Sequence, residues 1–417
     1  MSKKKAQFFK KTEIVPPSSA DPNDPDFSWD VANLNLVGGN WIPDVKLPSG
    51  NAAPTGASSS LRTYVDVNGI LQTSTVSGYR IDYSRGVNDP FLLFESININ
   101  QVYPSEPTST PTIGSDLNVT YESYAWANGL TDAVRVLDNT VERYMYYNFD
   151  TIPWTSNLDA QKFIVYVEMD DGTQPIIGTD FDIIMGGDNV LGGTIYEQQY
   201  GSTIWKVCGR TNNKAVGTPN NFGVQKLVSH SSKGFRMTGF LLGTSGDTSV
   251  TRWCNSYIKT TTAKIQDLGD GFEYGFGSGY TEGTLFIHFD IDANSGGGLQ
   301  FKNEAGVNGF YFGAYWNTIR TIFNDPNGLS NNYSQLSPQR LTKFILTWDA
   351  TGAYWYSEGV LKRYNDHTGL TPYENLDKLR IYAASSTSFG SDRLLFKKIQ
   401  YWEKKISDAD AITLSTM

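Results

Sequence analysis

The chain is poor in charge, cysteine and histidine, and it has no long apolar run. Only 18% of its 417 residues are charged, against 13% aromatic residues, 40 glycines and 24 tyrosines. Few charges with abundant Gly, Tyr, Thr and Asn disfavours long helices and suits short strands joined by tight turns, so an all-β fold is expected. No segment approaches the ~20 consecutive apolar residues that a transmembrane helix needs. The net charge of −9 argues against a general nucleic-acid binder, because phosphate contact requires a basic surface. His230, His288 and His367 form no His-x-x-x-His pattern and no Cys-x-x-Cys occurs, so zinc or other transition-metal chemistry is not expected. Cys208 and Cys254 are too few for a disulfide scaffold; they read as one bridge or, the favoured alternative, as two buried thiols.

What is present is unevenly distributed. Lys3, Lys4, Lys5, Lys10 and Lys11 crowd the start together with Phe8 and Phe9, whereas the body is acidic. The basic cluster runs into "TEIVPPSS" instead of the ~7–15 apolar residues of a cleaved leader, so no signal peptide is expected. Residues 1–60 have little apolar periodicity and carry Pro16, Pro17, Pro22, Pro25, Pro43, Pro48 and Pro54. Such a stretch cannot offset its ordering entropy alone, and it reads as an extended arm that is held by something else.

Beyond it, 61–105 reads as three short strands with turns at Asn68-Gly69 and Asn88–Pro90, and "SEPTSTPTIGS" (105–115) as a linker. Residues 116–262 pattern as a β-sandwich. In "QKFIVYVEMDDG", Phe163, Val165, Val167 and Met169 face one way and Ile164, Tyr166 and Glu168 the other, as a half-buried strand would. Residues 263–417 pattern as a second sandwich, with Leu285, Ile287, Phe289 and Ile291 on one face of "GTLFIHFDID". One short helix is expected in "ISDADAITLST", capped by Ser407 with Asp410 three residues on, and with Ile412 and Leu414 as its apolar stripe. The spacing thus predicts tandem β-sandwiches, or jelly rolls, after an extended N-terminal arm.

Three stretches carry a resemblance. "VNGILQTSTVSGYRIDYSRGVNDPFLLFESININQV" (67–102) is similar to a segment of bacteriophage virion proteins, in which an Arg-x-Asp-Tyr turn precedes a Leu-Leu-x-Glu strand ending in Asn. The matching positions are Arg80, Asp82, Tyr83, Leu92, Leu93, Glu95 and Asn98. The 116–262 unit resembles a carbohydrate-binding-module-like jelly roll. "GTLFIHF", "FILTWDATGAYWYSEGVL" and "RLLFKKIQYWEKKISDADAITLS" resemble a concanavalin A-like (laminin G-like) lectin domain, with its Trp-x-x-x-Gly hairpin and terminal Leu-Ser-Asp-x-Glu helix. The chain departs from that pattern at Ile406 and Asp410, and Glu358-Gly359 stands where an Asp-Gly turn is usual. The resemblance implies a structural or adhesive appendage of a virion, such as a tail or head fibre, that presents lectin-like domains to host glycans. It implies no catalytic residue. A homo-oligomer, commonly a trimer, belongs to the same implication.

Within this frame, residues 1–60 are expected to dock on another virion protein, with the lysines in an acidic groove and Phe8 and Phe9 as apolar anchors. Candidate glycan contacts are Tyr315, Trp316, Asn317, Asn324, Asp325, Asn327, Asn332 and Tyr333, with 324–335 read as a surface loop. Asp290 and Asp292 share a strand face as a glycosidase pair would, but read as solvated acids, as do Glu168, Asp170 and Asp171. "NDPNG" and "DIDANSGGG" contain oxygen ligands suited to calcium yet read as turns, and no cofactor is expected. There is no Gly-x-Ser-x-Gly elbow, and the Gly-x-Gly-x-Gly of "GFGSGY" opens no helix. The alternatives to an adhesin are a polysaccharide depolymerase and a purely structural decoration protein.

Overall fold

The computed structural model describes residues 21–37, 40–46, 55–58, 63–73, 80–95, 98–100, 102–108, 113–115, 119–148, 161–185, 188–189, 192–199, 201–210, 221–244, 256–260, 265–267, 270–280, 282–292, 295–302, 309–315, 318–324, 330–335, 342–366, 376–382 and 393–416. Among them the fold is all-β, in several antiparallel sheets, with one short C-terminal helix.

The first sandwich is built from two sheets. A six-stranded sheet runs Thr120–Glu122, Ala133–Val136, Phe235–Thr244, Gln161–Met169, Ile204–Arg210 and Gly192–Gln198. A five-stranded sheet runs Asp188–Asn189, Asp182–Met185, Asn221–Lys226, Arg143–Asn148 and Ile113–Ser115. The alternation read in Gln161–Met169 is present: Phe163, Val165, Val167 and Met169 pack with Phe181, Ile183, Phe222 and Val224 in one core. Each such side chain, fully buried, contributes about 1.5–3 kcal/mol. The other face is not solvated as expected. Ile164 and Tyr166 are buried in a second cluster under Trp126, Leu130, Tyr257 and Ile258. A segment laid over the outer face therefore makes this sheet the middle layer of three. Cys208 lies on that covered face and is disulfide-bonded, which corrects the expectation of thiols; the chain's only other cysteine is Cys254.

The second sandwich gathers strands from far apart in sequence. One sheet runs Asn40–Lys46, Phe27–Val37, Arg393–Trp402, Gly283–Asp292, Thr342–Asp349, Gly352–Ser357 and Val360–Asp366. The other runs Ser330–Gln335, Thr318–Asn324, Gly309–Tyr315, Ser295–Lys302, Leu376–Tyr382, Asp270–Tyr280 and Thr55–Ser58. Three strands from the presumed arm are thus parts of this module. Phe27 to Asp30 pair with Tyr401 to Lys398, and Thr55–Ser58 pairs with Asp270–Glu273. Side-chain ties reinforce the pairing: Trp402 Nε1 donates to Asp21 O at 2.9 Å, and Lys398 meets Asp30 at 3.1 Å. Local periodicity cannot reveal a strand whose partner lies hundreds of residues away. Residues 1–20, with the lysines and phenylalanines of the proposed anchor, lie outside the described residues.

The C-terminal helix, Asp408–Ser415, begins as expected, with the Ser407 hydroxyl accepting from the Asp410 N–H at 3.1 Å. Its buried face is Ala411 and Ser415, with Leu414 packed alongside, whereas Ile412 is 39% exposed. Ala411 packs against Phe286, Ile345, Tyr356 and Trp402. The tight turn after Gly352–Ser357 uses Glu358 and Gly359 at φ 54 and 71, the left-handed pair that a two-residue hairpin requires.

Between the modules, the described residues of 80–108 form a packed joint. Phe91–Glu95 pairs with both Ile81–Asp82 and the second sandwich's Arg393–Phe396. Arg80 and Glu95, at 1% and 0% exposure, form an ion pair of 2.7 Å. Glu95 also accepts from the Ser256 N–H at 2.8 Å. Asn100, fully buried, donates to Phe240 O and Ile258 O and accepts from the N–H of Val102 and Leu242. The expected linker at 105–115 is not one where it is described. Ser105 and Glu106 are buried, Ser105 O accepts from Phe240 N–H, and Ile113–Ser115 is a strand. Polar composition suggested a tether, but here the polar groups are consumed by buried hydrogen bonds.

Candidate functional site

A cleft of about 340 Å³ opens on the covered face of the six-stranded sheet. Its floor is Tyr166, Lys206, Glu197 and Gln199; its wall is the hairpin Thr63–Val65/Leu71–Thr73 with the following Asp82–Arg85 turn. A second hollow of about 620 Å³ adjoins it and adds Ala127, Gly201, Ser202 and Thr203. The two share Ser84, Arg85, Gln198 and Gln199, so they form one groove.

Local sequence explains the hairpin wall. Asp66 accepts from the N–H groups of Asn68 and Ile70 and from Gln72 Nε2, closing the turn around Gly69 at φ 80. The wall is fastened to the floor by Gln199, whose Nε2 donates to Gly69 O at 2.6 Å while its Oε1 accepts from Asn128 Nδ2 at 2.8 Å. Asp82 accepts from the N–H groups of Val65 and Ser84, which sets the rim. On the floor, Gly239 at φ +63 lies under Tyr166; a Cβ there would come within 2.6 Å of the ring. The register of Gln161–Met169 against Phe235–Thr244 shifts between Ile164 and Tyr166, beside that glycine.

The groove is aromatic and polar together. Tyr64 and Tyr196 hold their phenol protons more tightly than usual, chiefly because burial disfavours the phenolate, so both hydroxyls stay neutral hydrogen-bonding groups. Lys206 faces Glu197 at 3.9 Å. Arg85 donates to Asp290 of the second sandwich at 2.9 Å and stacks on Phe91, 4.5 Å from the ring centre. This geometry suits a ligand with both C–H faces and hydroxyl groups.

The residues singled out from sequence lie elsewhere. Tyr315, Asn324, Asn332 and Tyr333 are strand residues of the sheet that runs from Ser330–Gln335 to Thr55–Ser58, whereas Trp316, Asn317, Asp325 and Asn327 lie outside the described residues. The expected loop 324–335 is in part an edge strand, since Ser330–Gln335 pairs with Ile319–Asn324. Asp290 is not solvated: it is 5% exposed and bound to Arg85, while nothing is described of the Asp292 side chain. Glu168 accepts from Tyr124 and Thr203 hydroxyls, and Asp170 and Asp171 pair with Arg135 and Lys233 on the surface. His230 is buried against Asp182 at 3.3 Å with its Nδ1 accepting from Leu227 N–H. Among the described residues no group of His, Cys, Asp or Glu is placed to hold a metal ion. The groove was missed because Tyr64, Tyr166 and Gln199 lie 102 and 33 residues apart and meet only after the hairpin folds over the sheet. The Asn68-Gly69 turn was its one visible sign.

No family model and no curated protein matches the chain. Among solved structures, it is similar to the receptor-binding domain of botulinum neurotoxin D, at 12% identity and TM-score 0.30, over 35% of this chain and 41% of that one. The chain thus aligns with well under half of that domain. It is also similar to the CBM40 of the Ruminococcus gnavus IT-sialidase bound to α2,3-sialyllactose, at 12% identity and TM-score 0.28, over 33% of this chain and 84% of that one. A third is the catalytic domain of an endo-1,3-β-glucanase (laminarinase) from Thermotoga petrophila RKU-1, at 12% identity and TM-score 0.27, over 34% and 72% of the two chains.

Proposed function

We propose that the protein is a non-enzymatic, glycan-binding adhesin of a bacteriophage virion, a tail- or head-fibre component that presents its groove to host-surface carbohydrate. The observation that carries glycan binding is the groove itself, in which the half-buried rings of Tyr64 and Tyr196 and the polar side chains of Ser84, Gln198 and Ser202 line one continuous hollow. Sugars are recognised in this way, through stacking on C–H faces and hydrogen bonds to hydroxyls. Two carboxylates also line it, but Asp82 is committed to backbone N–H groups and Glu197 faces Lys206, roles that favour holding over acid–base chemistry. The virion setting is supported by the resemblance of 67–102, whose Arg80, Asp82, Tyr83, Leu92, Leu93 and Glu95 form the buried joint. Oligomerisation and virion partners belong to the same reading.

The test is purified full-length protein on a glycan array and on host cells, beside Tyr64→Ala. Binding weakened at least about fivefold by the substitution is expected, with no new reducing ends released. Release of reducing ends would replace the adhesin with a depolymerase; no binding to any glycan or cell surface would leave a decoration protein. For the mount, residues 2–20 are deleted so that the Phe27–Val37 strand is kept, and undiminished incorporation into particles would refute the anchor.

A further inference from the structure

We infer that the groove accepts an internal stretch of a neutral oligosaccharide, at least two sugar units long, in preference to an acidic sugar or a single terminal residue. This rests on the glycan-binding reading above and specifies its ligand.

The first argument is charge. The lining carries two anions, Asp82 and Glu197, and two cations, Arg85 and Lys206. Each is already engaged within the protein. Arg85 bonds Asp290 at 2.9 Å, Lys206 faces Glu197 at 3.9 Å, and Asp82 accepts two backbone N–H groups. An acidic sugar would have to compete with Asp290 or Glu197 for its cation and would leave a displaced carboxylate, partly desolvated, without its partner. A neutral sugar asks for no such exchange. It meets the Tyr64 phenol, the Ser84 hydroxyl and the exposed Gln198 amide, while the Gln199 amide stays fixed between Gly69 O and Asn128.

The second argument is length. The two hollows are different in kind and meet end to end. The first, of about 340 Å³, is the more apolar in residues, with Tyr64, Val65, Leu71 and Tyr166; the second, of about 620 Å³, is lined by Ala127, Gly201, Ser202 and Thr203. Either volume falls within the ~300–1,000 Å³ of an ordinary small-molecule site. A ligand that fills both must therefore be longer than one unit, passing Ser84, Arg85, Gln198 and Gln199 at the junction. The first hollow supplies the stacking surface, through Tyr64, and the second the hydroxyl oxygens of Ser202 and Thr203, which donate to Gln199 O and Glu168 and so meet a sugar as acceptors.

The experiment is calorimetric titration of the full chain with malto-, cello-, laminari- and chito-oligosaccharides of one to six units, beside oligogalacturonate and sialyllactose, at 50 and 500 mM NaCl. At least one neutral series is expected to bind. Its affinity should rise at least tenfold from one unit to four and change less than about twofold with salt, because no net charge is neutralised. Ala127→Trp, a change at an exposed position of the second hollow, should bring the long oligosaccharides down to the affinity of the short ones. The length series on the unaltered protein stands even should that variant misfold. Binding confined to the acidic probes, or equal affinity for one unit and four, overturns the inference while leaving glycan binding in place. No binding to any probe or to the glycan array sinks both.

Discussion

The two sandwiches solve closure in opposite ways. All the strands of the first lie between Ile113 and Thr244, and its outer face is covered by Trp126, Leu130, Tyr257 and Ile258, with Leu71 of the hairpin packed alongside. The second is closed by pairings such as Asp30 with Lys398 and Ser58 with Asp270. Non-local pairing demands loop-closure entropy before it returns any contact, so the second module is the slower to form and depends on segments that local pattern does not mark as its own. The joint belongs to both: Phe91–Glu95 is hydrogen-bonded into the second sheet, while its Glu95 side chain is bound to Ser256, beside the first core.

That shared ownership is where the comparison breaks most readily. Replacing Glu95 by Ala leaves the Arg80 guanidinium buried without its carboxylate, and the loss should be about 3–5 kcal/mol. Urea unfolding followed by tryptophan fluorescence measures it, and both modules should lose stability together. Removing the exposed carboxylate of the Glu358–Lys362 pair serves as the control, at about 0–1 kcal/mol. Equal effects at the two sites would show that the joint is a passive tether.

Next in size is the disulfide at Cys208. A closed loop of roughly fifty residues restricts the unfolded chain enough to stabilise by about 4 kcal/mol in the entropic account, and measured values more often fall at about 2–4 kcal/mol. Reduction by dithiothreitol should therefore lower the unfolding midpoint of the first sandwich and leave that of the second in place. A shift confined to the second module, or shared equally, would contradict the division of the chain drawn here.

How much of this was legible in the sequence follows the same divide. Gln161–Met169 and the Ser407 cap were readable because alternation and capping are local. So was the Asn68-Gly69 turn, which proved to carry the groove's wall. The strand Phe27–Val37 was not, because its hydrogen bonds are completed by Arg393–Trp402 and proline-rich surroundings mask its pattern. Ser105 and Glu106 read as linker because composition reports polarity but not whether buried partners await it. The candidate lectin loop was chosen by density of Asn, Asp and aromatics. The groove has no such density, and its residues converge from the hairpin, the joint and three strands of one sheet.

The smallest expected effect separates the modules by pH. His288 lies in Gly283–Asp292 of the second sandwich, where burial, and then the charges of Lys397 and Lys343, lower its pKa from 6.5 to about 4, with Asp30 opposing and Lys398 adding to the shift. Its Nε2 is enclosed with no hydrogen-bond partner among the described residues, so the ring is held neutral. A histidine that stays neutral in the fold but protonates in the unfolded chain makes the unfolded state the better proton binder between those two values. Stability should then be constant above about pH 6.5, fall as pH drops toward 4, and level off below. Because the ring is only half-buried, the loss should be about 1 kcal/mol, well short of the full linkage value. Urea unfolding at pH 7.5, 6 and 4.5, comparing the protein with His288→Gln, isolates the contribution from that of the carboxylates, which titrate in both. The variant should show the shallower fall, and only in the second module's transition. Identical slopes would mean that the imidazole is protonated in the fold at little cost, and that Asp30, brought in by the N-terminal strand, compensates it.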